Sequence, residues 1–273
     1  MASFFGSKKV APPPVIPPPP TPRSGPTIDA TTVISLLAVL ALLAGAYAAS
    51  IKVLPKTSSL KIRILFVWHL FDALIHFVFE GSFLWNCFFV SYSLPTSFTH
   101  ASIKQHQITF FTPPDVYWLG KEDKLFGANY GTTPFSRLWQ EYAKADKRWG
   151  GVDLTVVSLE LLTVFVAGPL ACWICYLLSR EERKGMLKKW FWMTILATGE
   201  IYGGWMTFAP EWLTGSPNLD TSNWMYLWLY LAFFNGLWVV FPLWILWEAY
   251  RAMSQAMSQA EMVDLVNYLK KED

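Results

Sequence analysis

The chain is short of charge. Only 15% of its 273 residues are Asp, Glu, Lys or Arg, where a soluble domain carries about 25%. That shortage argues against an ordinary solvated globular surface. The net charge is +2, which leaves neither a nucleic-acid signature nor a global steering field. Cysteine is scarce too: Cys87, Cys172 and Cys175 are an odd set that cannot pair completely, and this excludes a disulfide framework. Cys172-x-x-Cys175 has metal-ligand spacing, but it lacks a second ligand pair and sits in an apolar run, so it reads as helix packing. There is no glycine-rich phosphate loop, no redox-cofactor motif and no dense ligand cluster. Neither cofactor nor metal is expected.

What the chain has instead is apolar and aromatic. Hydrophobic residues make up 53%, aromatics 17%, and there are 15 Trp. The mean hydropathy is +0.30. Trp and Tyr favour membrane interfaces. Apolar segments near 30–51, 64–92, 154–178, 190–212 and 223–247 each have the length needed to cross about 30 Å of hydrocarbon. The expected fold is an all-α membrane protein, a bundle of five transmembrane helices enclosing an intramembrane ligand cavity.

Three regions flank or interrupt this 30–250 membrane domain. Residues 1–29 hold a Pro-rich run from Ala11 to Pro26, which favours extended polyproline conformations and reads as a disordered tail. No charged n-region directly precedes a short apolar core, so it does not read as a signal peptide. Residues 93–133, with Pro95, Pro113 and Pro114, read as a long loop. From Pro134 to about Ala145, helical spacing places Phe135, Leu138, Trp139 and Tyr142 on one face of a short interfacial helix. Residues 251–273 form the C-terminal tail.

Basic residues next to the span ends set the expected orientation. Lys52, Lys56, Lys61 and Arg63 follow the first span. Arg180, Arg183, Lys184, Lys188 and Lys189 follow the third. These loops and the C-terminus are expected in the cytosol, with the N-terminus and the 93–133 loop lumenal. The terminal Lys270-Lys271-Glu272-Asp273 resembles the dilysine signal that returns membrane proteins to the endoplasmic reticulum.

Several ionisable residues lie inside these spans, where an ionised carboxylate costs about 3 kcal/mol or more. Asp72, His76 and Glu80 recur at i, i+4, i+8 on one stripe of the second span. The third span offers Glu160 and, one turn on, Thr163. The fourth offers Glu200 with Tyr202 and Thr207, and the fifth offers Asn235 and Trp238. His69 lies nearer the cytosolic end of its span, and His100 and His106 read as surface residues. If the faces converge, carboxyls and an imidazole can give and take protons while an indole face stabilises a cation. That set suits an isomerisation through a carbocation.

These residues also carry a family resemblance. His76-Phe-Val-Phe-Glu80-Gly81, Leu138-Trp-Gln-Glu-Tyr-Ala-Lys-Ala-Asp146 with Arg148, and Glu160-Leu-Leu-Thr163 with Gly168-Pro169-Leu170 are similar to motifs of the emopamil-binding protein (EXPERA) family. So are Ile201-Tyr-Gly203 with Glu211, and Asn235-Gly-Leu-Trp238 with Pro242. They fall in the family's order over roughly 60–250. The resemblance implies a five-span, cofactor-free sterol Δ8-Δ7 isomerase of the endoplasmic reticulum, which protonates C9, forms a cation at C8 and removes a proton from C7. By resemblance, His76, Glu80 and Glu160 share the donor and acceptor roles. Asn235 and Thr163 orient them, and Trp238 faces the cation. Asp72, Glu200 and Tyr202 are read as supporting residues.

The chain departs from the family in its longer 93–133 insertion, its Pro-rich tail, and Gly203-Gly204 where the isomerase carries an acid after its Gly. These departures leave two other readings open, a non-catalytic sterol or lipid binder and an isomerase or cyclase of another terpenoid-type lipid. A proton-coupled transporter fits less well, because no inverted repeat or broken-helix pair is visible. The expected partners are a sterol or sterol-like lipid, membrane lipid, a second copy in a homodimer, and coat retrieval machinery through Lys270 and Lys271.

Overall fold

The computed structural model describes residues 28–94, 111–113, 115–180 and 186–272. Most of the Pro-rich tail, His100 and His106, and the side chains of Lys270 and Lys271 lie outside them. The described residues are mostly helical.

Local chemistry starts the helices where the sequence provides caps. Helix α1 (Ala30–Val53) begins at Asp29, whose carboxylate accepts the Thr32 amide at 3.0 Å in a reciprocal capping box. Helix α2 (Leu60–Phe89) begins at Ser59 and runs without a break. Helix α3 (Pro134–Tyr142) has Thr133 as its cap and Pro134 in its first turn. Helix α4 (Leu154–Ser179) is capped by Asp153, which accepts the Val156 amide at 2.9 Å. Helix α5 spans Met186–Leu213, and α6 comprises Tyr226–Phe234 and Asn235–Glu272.

Four of these helices are long and apolar enough to cross a membrane: Ala30–Val53, Leu60–Phe89, Leu154–Ser179 and Tyr226–Asp264. Helix α5 is long enough at 28 residues. Its apolarity is diluted by four Trp, three Gly and Glu200, so it does not join them on composition. Large apolar side chains point outward along the bundle, among them Leu37, Leu40, Phe165, Trp205 and Val240. An aqueous surface does not sustain such continuous apolar exposure, and the helices read as membrane-embedded.

One expectation needs correction. The 93–133 loop is not wholly irregular. Strands β1 (Ser91–Ser93) and β2 (Lys124–Phe126) pair antiparallel, with Tyr92 opposite Leu125. Alternation over three residues is too short a signal to read in advance. Helix α6 runs on through residues 251–272. That stretch is rich in Ala, Met, Gln and Glu and has no Gly or Pro to stop it.

Helix α2 packs against the second half of α4, α5 against α6, and α1 against both α2 and α3. Two polar clamps fasten the short α3 region to this bundle. Glu141 is buried and accepts the Thr32 hydroxyl at 2.8 Å and the Tyr230 hydroxyl at 2.9 Å, so it joins α3 to α1 and α6. Lys144 also donates to it. Arg148 is buried and forks onto Asp146, Nε to Oδ1 at 2.9 Å and Nη2 to Oδ2 at 2.6 Å. Its Nη1 donates to the Thr207 carbonyl of α5 at 2.7 Å. Backbone bonds from Lys147 to Asn218 and from Asp220 to Ala145 stitch the same segment to the α5–α6 connection.

Removing one partner of a buried ion pair strands the other, at a cost of about 3–5 kcal/mol. Arg148→Ala is therefore expected to lower the unfolding free energy in detergent by about 3 kcal/mol. Exposed Arg251→Ala should change it little. Equal effects of the two substitutions would show that the clamp does not hold the segment.

Candidate active site

Three helices change pitch where the chemistry-bearing residues lie. Ile75–Glu80 in α2, Thr163–Ala167 in α4 and Tyr226–Phe234 in α6 are π-helical. π-Helical turns are rare and concentrate at functional sites. His76 and Glu80 meet within one of these segments, Thr163 opens the second, and Asn235 follows the third.

His76 occupies the centre. Its Nδ1 lies 2.5 Å from Glu80 Oε2. Its Nε2 lies 3.1 Å from Asp72 Oδ1, close enough for an ion pair but off hydrogen-bond alignment. Side-chain exposure falls from 13% at Glu80 to 2% at His76 and 0% at Asp72, so the stripe runs from the cavity wall into the packed interior. Glu80 faces Glu160 of α4, and Thr163 Oγ1 donates to Glu160 Oε2 at 3.0 Å. At the other end Asp72 Oδ1 accepts Trp238 Nε1–H at 2.8 Å, and Asp72 also faces Glu200 of α5. The groups thus form one sequence, Glu200, Asp72, His76, Glu80, Glu160 and Thr163, drawn from three helices.

A cavity of about 640 Å³ opens beside them. His76, Glu80, Glu160, Thr163 and Glu200 contribute to its wall, as do Asn235 and Trp238. Most of the remaining wall is apolar, including Phe71, Ile75, Phe79, Leu159 and Phe208. A low-dielectric cavity with carboxyls and an imidazole along one side can transfer protons to and from an apolar ligand while excluding water.

The residues singled out from sequence are distributed unevenly. His76, Glu80, Glu160 and Thr163 come together, with Asp72 and Glu200 behind them. Trp238 lines the cavity, but its N–H is committed to Asp72 and its ring packs on Trp68 at 5.5 Å. Asn235 lines the cavity without bonding to an acid. Its Nδ2 donates to the Tyr142 hydroxyl and to the Tyr230 and Leu231 carbonyls. It therefore satisfies the end of the π segment rather than orienting the carboxylates. Tyr202 is a correction: it is 61% exposed and turned away from the cavity. In a helix, Ile201 and Tyr202 are separated by about 100°, and Ile201 takes the cavity side. His69 is buried among packed residues rather than solvated.

Sequence reasoning missed part of the wall. Trp139, Glu141, Tyr142 and Trp149 line the cavity from the α3 region. The helical face had indicated Trp139 and Tyr142 without suggesting a destination, while Phe135 is exposed. Burial pushes the Tyr142 hydroxyl above its ordinary value, so it stays protonated, and it accepts from Asn235. The π turns leave no sequence signal.

Residues 134–249 match the model of the EXPERA (EXPanded EBP superfamily) family. A 3-beta-hydroxysteroid-Delta(8),Delta(7)-isomerase of Cavia porcellus is 32% identical over 107 residues, which is 39% of this chain and 45% of that protein. The isomerase of the same name from Mus musculus is 29% identical over 123 residues, 45% of this chain and 52% of its own. A protoglabretal synthase of Ailanthus altissima is 26% identical over 208 residues, 75% of each chain. The chain spans about half the length of the two isomerases it matches. The EXPERA match contains Glu160, Thr163, Glu200, Asn235 and Trp238. His76 and Glu80 reach the same cavity from α2, outside the matched residues.

Trp238→Phe keeps most of the ring but removes the donor to Asp72. Leaving a buried acceptor without its bond costs about 1–3 kcal/mol. A stability loss in that range is expected in detergent unfolding, against little change for exposed Trp205→Phe. Equal losses would show that the bond to Asp72 carries no weight.

Proposed function

We propose that this chain is a membrane-embedded isomerase that moves a ring double bond in a sterol, as a 3β-hydroxysteroid Δ8-Δ7 isomerase does. The observation that carries the proposal is the arrangement of Glu80, His76 and Glu160 along one side of a largely apolar cavity of about 640 Å³. A binder needs apolar shape. It does not need paired carboxyls joined to an imidazole, which are costly to bury.

The mechanism follows from the pair. Two carboxyls facing one another in a low dielectric cannot both remain ionised, so Glu80 and Glu160 hold a proton between them. The protonated member gives that proton to C9, and the alkene electrons form the new C–H bond and leave a cation at C8. The ionised member removes a proton from C7, and that C–H pair becomes the new double bond. One proton enters and one leaves, so no external co-reactant is consumed. Thr163 fixes Glu160 through its 3.0 Å bond. The Trp238 face and the remaining negative charge stabilise the cation.

Helix α5 is proposed as the fifth span. Its two partners, α4 and α6, both meet the length and apolarity of a crossing helix. The basic termini of α1, α2 and α4 then lie on the cytosolic side with the C-terminus, and the N-terminus and the β1–β2 region are lumenal.

A second reading has one specific observation behind it. The match to the Ailanthus altissima protein covers 75% of both chains, further than the two isomerase matches, and that protein is named a synthase. The same proton chemistry acting on another terpenoid-type lipid is the alternative. Sterol profiles separate the two.

Cells lacking Δ8-Δ7 isomerase activity, given this chain, should convert Δ8-sterols to Δ7-sterols. In heavy water the product should carry deuterium at C9. Glu160→Gln should slow conversion by about 10²–10⁴-fold, the range for a general acid or base. Persistent Δ8-sterols despite confirmed expression would overturn the sterol assignment. Wild-type conversion by Glu160→Gln would remove Glu160 from the mechanism.

A further inference from the structure

The mechanism uses Glu80 and Glu160 and leaves the other end of the sequence unexplained. Asp72 is fully buried, and Glu200 is 9% exposed. Asp72 Oδ2 and both Glu200 carboxyl oxygens have no hydrogen-bond partner among the described residues, and His76 Nε2 lies 3.1 Å from Asp72 Oδ1. A second pair of acids is thus placed directly behind the imidazole. Burying it without use would be expensive.

Charge accounting suggests the use. An imidazolium between two carboxylates draws on the negative charge of both. If Glu80 and Glu160 had to neutralise His76 alone, one proton on the pair and one on the ring would leave no net negative charge for a substrate cation. We propose that Asp72 and Glu200 form a proton-sharing pair that serves as the counter-charge of His76, freeing the Glu80–Glu160 pair to act as both acid and base. This rests on the isomerase reading given above. Asp72 and Glu200 act through His76 and are positioning residues. One proton shared between them leaves one negative charge, which offsets the imidazolium. The front pair then keeps one proton to give and one negative charge to receive the cation. No atom is transferred to or from the rear pair during turnover.

The surroundings fit this role. Asp72 is faced on its own helix by His69 and His76, from α5 by Glu200, from α4 by Cys172 and Cys175, and from α6 by the Trp238 N–H. Glu200 is faced by Asp72, His76 and Glu80. Among the described residues no Lys or Arg is a neighbour of the pair, and His76 is the imidazole that faces both acids.

Asp72→Asn tests the proposal, because the amide oxygen still accepts from Trp238 while the charge is gone. Its kcat should fall about 10²-fold with KM within about twofold, equivalent to about 2.7 kcal/mol of transition-state stabilisation. Glu200→Gln leaves the Asp72 carboxylate in place, and its kcat should fall only a few-fold. Nitrogen-15 spectra of the full-length protein, with the His76 signal assigned by His76→Asn, provide a readout independent of turnover. The His76 ring should titrate at lower pH in Asp72→Asn than in wild type, and Asp72→Glu should restore both readouts in part. If wild type converts sterol but Asp72→Asn leaves kcat and the His76 titration unchanged, the counter-charge role is wrong. A lowered kcat with an unmoved titration would also overturn it, by showing a merely structural effect. A shifted titration in a wild-type protein that converts no sterol would sustain the charge pairing and sink the isomerase reading instead.

Discussion

The imidazole of His76, held between carboxylates one turn above and one turn below it, is the constraint around which the core is arranged. Neither acid could be buried alone without a penalty of several kcal/mol. Each must therefore meet a partner from another helix: Glu80 meets Glu160 from α4, and Asp72 meets Trp238 from α6 and Glu200 from α5. The packing of α2 against the rest of the bundle is in this sense specified by charge rather than by apolar surface, which lipid would satisfy equally well. The π turns coincide with these residues: Ile75–Glu80 carries both the ring and the Glu80 carboxylate, and Thr163 opens the π segment of α4.

A buried charged stripe also needs a roof, and the α3 region supplies it. Trp139 and Trp149 stack with ring centroids 4.8 Å apart and pack on Phe83 of α2. The Trp139 N–H donates to Ser82 at 2.9 Å. Glu141 and Arg148 then fasten that aromatic layer to α1, α6 and α5 through buried polar bonds. Gly127 shows how closely the layer is set. Its φ is +123°, and a Cβ there would lie 2.7 Å from the Gly150 carbonyl oxygen, a conformation and a contact that a side chain would disrupt.

How much of this could be read in the sequence depended on period and on cost. The i, i+4, i+8 spacing of Asp72, His76 and Glu80 is a direct helical signal, and charge inside an apolar run is conspicuous because it is expensive. Those residues were legible, as were the starts of α3 and α4 at Thr133 and Asp153. Tyr202 was misplaced because a residue type beside a motif carries no information about azimuth. Asn235 was legible as a cavity residue, but its partners were not. They are the Tyr142 hydroxyl and backbone carbonyls of a π turn, which no local pattern connects to position 235. The roof residues Glu141 and Arg148 stood within a quoted motif, yet their role depends on partners at 32, 207 and 230, which no local pattern connects.

The glycines and the acid of α5 share one stretch of wall. Gly203 and Gly204 lie one turn beyond Glu200. A Cβ at Gly203 or Gly204 would meet nothing within 4 Å, and both positions line the cavity. Hydrogen at those two positions puts no charge on the cavity wall and leaves room there. Glu200 faces Asp72 behind His76 and also contributes to the wall. The Glu80–Glu160 pair reaches the cavity from α2 and α4, so the shape of the α5 side can vary without moving the carboxyls that face each other across it.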